Sequence, residues 1–304
     1  MTFTVPSSGR VAAVTLLALA CWTASGEALA PPSSAEAPPA PPPRYLSLGD
    51  SLAAGMQPDE RGVDRPTSQG YASVIGRRLA PVHPGLRTLR LSCGGADTRT
   101  LLAGGAGCQP PGEAGQVVQA ERILRGHRET VLVTVDIGDN DVEHCLVVRP
   151  PSIDDACVRR GRASVARNLP VIARRLRAAA GPHTAVVGVL DYDQFLALWL
   201  DGRRGRSVAR RSVGIIGSLN SLMAGIYRHA GVQVADAGPA FHTRDLRTRR
   251  NLPGFGSVPL AVERICTLTW ACSPAPIGHD DHARPEGYRV IAEAVLDVLN
   301  AGGG

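Results

Sequence analysis

The chain has 304 residues, enough for one large domain with a well-buried core. Hydrophobic residues make up 44% and charged residues 20%, a balance that excludes wholesale disorder. The net charge of +6 rests on arginine alone, since there is no lysine. The arginines are spread out rather than interleaved with aromatics, which argues against nucleic acid and leaves weak attraction to an anionic cell surface.

Residues 1–30 read as an export signal, with Arg10 as the positive start and Val11 to Ala20 as an apolar run too short to span a bilayer. Ala28-Leu29-Ala30 fits the small-x-small cleavage rule. Cys21 offers an alternative as a lipid-modified cysteine, although Ala18 stands where leucine is expected. Residues 31–43 form an extended Pro/Ala-rich linker, and residues 44–304 form the folded domain.

Tyr45 to Leu48 reads as a buried strand, and Gly49-Asp50-Ser51 as a tight turn opening a helix. Gly70 to Leu79 is helical, Leu86 to Leu91 is a second strand, and Gln116 to Leu124 is a second helix. Thr130 to Ile137 is nearly continuous Val, Leu and Ile, which predicts a strand buried on both faces at the centre of a parallel sheet. A helix over Ser164 to Ala179, with Ser164 as N-cap, presents Val165, Leu169, Ile172 and Leu176 on one face; Pro170 should kink or break it. Ala185 to Leu190 is a fourth strand, followed by a long helix over Val208 to Arg228 with Ile215, Leu219, Leu222 and Ile226 toward the core. Val232 to Ala235 is a fifth strand, and Pro285 opens a terminal helix through Leu299. Strands alternating with helices predict an α/β fold, a parallel sheet covered on both faces.

Of the seven cysteines, one belongs to the export signal. The others fall into three local couples, predicting disulfides Cys93–Cys108, Cys145–Cys157 and Cys266–Cys272 in an oxidising compartment. Zinc is the competing use, but there is no Cys-x-x-Cys pair.

Three strand ends deliver polar or glycine residues: Gly49 to Ser51, Gly94-Gly95, and Gly138 to Asn140. Ester hydrolysis needs a nucleophile, a base, and donors aimed at the developing oxyanion. Ser51 is the candidate nucleophile, and its backbone N–H, the N–H of Gly95 and the amide of Asn140 are candidate donors. His282 precedes the last helix and is the candidate base, with Asp280 and Asp281 as candidate orienters of its ring. The His279-Asp280-Asp281-His282 run also invites a metal, but consecutive side chains in an extended loop point to opposite sides. Asp139, Asp141 and Glu143 lack calcium-loop spacing, so no metal is expected. Trp199, Trp270, Phe241 and Phe255 are either acyl-pocket lining or plain core.

In combination these blocks resemble the SGNH hydrolases, also called GDSL esterases and lipases, and the secreted actinobacterial branch among them. Gly49-Asp50-Ser51-Leu52, Gly95, Gly138-x-Asn140 and His282 before Gly287-Tyr288 stand in the family's order. The resemblance implies a three-layer α/β/α sandwich with a five-stranded parallel sheet, flavodoxin-like, and acyl-ester or lipid hydrolysis through an acyl-enzyme without a cofactor. It also implies Ser51 as nucleophile, Gly95 and Asn140 in the oxyanion hole, and His282 as base. The family places its aspartate three residues before the histidine, where this chain has His279; Asp280 therefore serves through its side chain or its backbone oxygen. A polysaccharide O-deacetylase would use the same site, and an idle surface-binding module is the reading outside enzymes. The chain is expected to be an exported monomer.

Overall fold

The computed structural model describes residues 41–105 and 113–302; the expected export signal, nearly all of the linker, Cys21 and Cys108 lie outside them. β1 (Arg44–Gly49) feeds α1 (Ser51–Ala54), and a hairpin of β2 (Met56–Pro58) and β3 (Asp64–Pro66) follows. Then come α2 (Tyr71–Leu79), β4 (Arg87–Arg90), α3 (Thr98–Ala103), α4 (Gln116–Gly126) and β5 (Thr130–Asp136). A second hairpin, β6 (Leu146–Val147) with β7 (Ser152–Ile153), precedes α5 (Asp155–Ala179) and β8 (Ala185–Leu190). A 3-10 segment, Gln194–Leu200, leads into α6 (Gly202–His229) and β9 (Gln233–Asp236). A third hairpin, β10 (Arg249–Leu252) with β11 (Gly256–Pro259), is followed by α7 (Leu260–Leu268) and α8 (Pro285–Gly302).

β4, β1, β5, β8 and β9 form one parallel sheet in that order, as the five predicted strands require. Strand period 2 divides its side chains between two cores. Leu46, Leu48, Val133 and Val135 meet α4, α5 and α6 through Val117, Leu169 and Met223. Tyr45, Leu132 and Val187 meet α2, α7 and α8 through Ile75, Ile265 and Ile291 on the other face. The result is the expected α/β/α sandwich. Strand order reverses at β1, with β4 on one side and β5 on the other, and crevices open at the carboxyl ends of such a switch point.

Two helix readings need correction, and at Pro170 the break is the outcome that does not occur. α5 starts at Asp155, not at Ser164, because Asp154 accepts from the backbone N–H groups of Ala156 and Cys157 and caps an earlier turn. Pro170 does not break the helix, whose apolar face is continuous through Val165, Leu169, Ile172 and Leu176. The fully buried stripe of α6 is Ile216, Leu219, Met223 and Tyr227, with Ile215, Leu222 and Ile226 only partly buried beside it. Its phase is set by Tyr227, whose ring lies where a side chain at Gly188 of β8 would stand.

The disulfides Cys145–Cys157 and Cys266–Cys272 are formed as expected. Cys93 is also disulfide-bonded, and Cys108, its expected partner, lies outside the described residues. Among the described residues no helix is long and apolar enough to cross a membrane.

Candidate active site

The turn after β1 is built on Gly49. Its φ of 138° lies outside the range of ordinary side chains, and a Cβ there would sit 2.0 Å from the carbonyl oxygen of Asp136. The Gln116 side chain accepts from Gly49 N–H and donates to Gly49 C=O, both at 2.8 Å, locking this peptide between β1 and α4. Asp50 then caps α1 by accepting from Leu52 N–H at 3.0 Å. Ser51 is the first residue of that helix, half-buried at its amino end.

The other two predicted loops close around it. A Cβ on Gly94 would lie 4.0 Å from Ser51 Cβ, and Gly95 beside it is exposed in the left-handed region at φ 73°. The Asn140 amide donates to Ala96 C=O at 3.0 Å, tying the loop after β5 to the loop after β4. Asp141 strengthens the tie by accepting from the Thr98 N–H and hydroxyl at 2.9 and 2.8 Å. Ser51 and Asn140 line one crevice with Asp139, Glu143, Tyr192 and Asp281.

His282 is 7% exposed, in the loop before α8. Asp280 Oδ1 accepts from the His282 backbone N–H at 2.9 Å and lies 3.1 Å from its Nδ1. The contact comes from the side chain, two positions before the histidine. His279, where the family's aspartate is expected, has left-handed backbone at φ 39° and instead places its Nε2 3.9 Å from Asp201. Asp281 approaches Nδ1 only to 3.9 Å, but its backbone carbonyl accepts from the Tyr192 hydroxyl at 2.7 Å, holding the histidine loop against the crevice.

A second carboxylate escaped the sequence reading. Asp64, on β3, stands 3.3 Å from the same nitrogen. Burial by itself would lower the basicity of His282, but the hydrogen bonds to Asp280 and Asp64 outweigh it and push the imidazole up to about 11. Asp64 is held below the ordinary carboxylate range by His282, whereas burial raises Asp280. Burial also pushes Asp139 up to about 7, and Glu143 to about 9 with the charges of Asp281 and Asp139 adding to it. Asp64, Asp280 and His282 stand close enough together to form a ligand set, but their polar atoms already face one another as ion pairs. His144 with Cys145 and Cys157 also cluster, but both of those sulfurs are bound in the disulfide and supply no thiolate.

None of the four aromatics considered from sequence lines the crevice. Phe241 is fully buried and stacked on Tyr192, with ring centroids 4.4 Å apart. Trp270 carries Arg284 over its ring, and Trp199 carries Arg210. The recess beside the crevice carries Val148, Phe195, Ala197, Leu198 and Ala271 as its apolar side and His279 besides, and it shares Glu143, Gln194 and Asp281 with the crevice. The 3-10 segment supplies Phe195, Ala197 and Leu198 of its apolar side. Its nearly unbroken apolar run was legible in the sequence, but the run has no helical or strand period to flag it.

Residues 47–290 match the model of the GDSL-like lipase/acylhydrolase family. The chain belongs to that family. As a GDSL-like acylhydrolase it is a carboxylic ester hydrolase, and its substrate is an ester or lipid. Among solved structures it is similar to an extracellular lipase from Streptomyces rimosus, at 20% identity and a TM-score of 0.51, covering 85% of this chain and 99% of that one. The lipase Lip_vut3 from a goat rumen metagenome is similar at 15% identity and a TM-score of 0.50, covering 86% and 97%. These likenesses show the shared fold, as expected from the sequence. No curated protein matches the chain significantly.

Proposed function

We propose that the protein is an exported serine esterase whose nucleophile is Ser51, base His282 and orienting acid Asp280. The observation that carries this reading is the meeting of Ser51, Asn140 and the Asp281 loop in one crevice, with Asp280 3.1 Å from His282 Nδ1. His282 takes the Ser51 proton as the oxygen attacks the ester carbonyl, forming a tetrahedral intermediate. The Ser51 and Gly95 N–H groups and the Asn140 amide stabilise its oxyanion. The alcohol leaves with the proton from His282, and water attacks the acyl-enzyme by the same path in reverse.

The apolar recess along Val148, Phe195 and Leu198 adjoins the crevice and suits the acyl chain. Export through residues 1–30, a monomeric state and weak attraction of the arginine-rich chain to anionic surfaces complete the proposal; the disulfides fit an oxidising location.

Aryl esters from acetyl to palmitoyl provide the test. Hydrolysis of the series, stoichiometric phosphonate labelling, and a loss of at least about 10⁴-fold with neither labelling nor turnover in Ser51→Ala are expected. A folded Ser51→Ala protein that keeps its activity sinks the assignment. A steep preference for acetyl would identify the deacetylase variant of the same chemistry.

A further inference from the structure

Away from Ser51, a cleft of about 380 Å³ opens between α6 and the β10–β11 hairpin. Arg206 and Arg210 of α6 line it together with Trp199, Arg249 and Phe255, and no carboxylate does. The Arg210 guanidinium lies 4.5 Å from the Trp199 ring centroid, and Arg249 bonds Ser257. Neighbouring arginines are used differently: Arg211 is paired with Asp155, and Arg204 donates to Pro151 C=O. Three guanidiniums therefore face one cleft with their charge uncompensated by any acid in it.

Phe255 is 53% exposed, unlike Phe195 and Phe241 in the core. It stands at the turn joining β10 to β11, where its N–H donates to Leu252 C=O at 3.0 Å and Gly254 and Gly256 both take positive φ. An aromatic ring offered to water on a turn, ringed by cations, has the two features of an interfacial anchor: apolar insertion and attraction to anionic headgroups. A site for a small soluble anion would need the arginines but not the exposed ring. The 3-10 segment also contributes to this cleft, through Trp199, and to the recess adjoining the Ser51 crevice, through Phe195 and Leu198.

We infer that the Arg206–Arg210–Arg249–Phe255 cleft docks the protein on an anionic phospholipid bilayer, with the arginines on headgroup phosphates and Phe255 in the interface. The inference concerns adsorption and stands apart from the catalytic assignment, so folded Ser51→Ala protein keeps it.

Cosedimentation with vesicles measures it. The full-length protein is expected to bind equimolar phosphatidylglycerol–phosphatidylcholine vesicles, to ignore pure phosphatidylcholine, and to dissociate as salt rises. Each lost arginine should weaken binding roughly five-fold, so Arg206→Gln/Arg210→Gln should cost roughly 25-fold, and Phe255→Ser should also weaken it. Hydrolysis of a soluble acetyl ester should be unchanged in these variants, which should still unfold cooperatively on heating. Equal binding to both vesicle types, or full binding by the variants, overturns the inference. Displacement by inorganic phosphate at matched ionic strength would show a free-anion site instead. Displacement by polygalacturonate at matched ionic strength would show an acidic-polysaccharide site. Either result overturns it.

Discussion

At His282 two carboxylates converge on one nitrogen, Asp280 at 3.1 Å and Asp64 at 3.3 Å. Both favour the imidazolium, which strengthens the neutral ring as acceptor of the serine proton and raises the pH at which that neutral base becomes available. Removing one carboxylate lowers the pKa, so the neutral base is reached at lower pH. Asp64→Asn is therefore expected to move the rising limb of kcat/KM toward acid pH, with a several-fold change at the plateau. Asp280→Asn should cost about 10²–10⁴-fold, because Asp280 also fixes the loop through the His282 backbone N–H. An unshifted limb in Asp64→Asn would remove Asp64 from the machinery. Asp280 was legible because it is local to the histidine; Asp64 arrives from a distant hairpin and carries no motif.

At the scale of elements, the site depends on helices that pack unusually close to its loops. A Cβ at Gly161 of α5 would lie 2.0 Å from the backbone oxygen of Asp141, next to Asn140. Gly161→Ala should cost about 1–3 kcal/mol and displace the Asn140 loop, lowering kcat more than it raises KM. A variant with unchanged melting temperature and kcat would show that the loop can yield. The alternation of strand and helix was readable because burial imposes its period on the residues. The start of α5 was not, because the choice between Asp154 and Ser164 as cap rests on how the Cys145–Cys157 hairpin meets the helix.

For the molecule as a whole, the disulfides Cys145–Cys157 and Cys266–Cys272 span separations of 12 and 6 residues. Chain-entropy estimates give about 2–3 kcal/mol each, so reductant should lower the melting temperature clearly; an unchanged value would make the bridges thermodynamically idle. Stability should also fall as pH rises. Asp50, Asp136 and Asp191 are buried at the carboxyl ends of β1, β5 and β8, and burial raises all three well above 3.8. An acid raised in the folded state binds protons more tightly folded than unfolded, so stability is lost as pH rises from its unfolded value through its folded one. His282 acts in the same direction, its contribution being complete below 6.5 and lost as pH rises toward about 11. The melting temperature should be higher near pH ~5 than near pH ~8, and Asp191→Asn should flatten that difference. A rise in melting temperature with pH over that interval would contradict it.

The order of the five sheet strands and of the long helices between them, the couples Cys145–Cys157 and Cys266–Cys272, and the loops that carry Ser51, Asn140 and His282 were determined by the sequence itself, since periodicity, turn chemistry and local spacing are written along the chain. Tertiary structure alone decided that Gln116 locks the Gly49 peptide, that Asp64 joins Asp280 on His282, and that Phe195 rather than a tryptophan walls the recess. Those contacts join residues far apart in the chain, and only the packing of helices across the sheet fixes which of them meet.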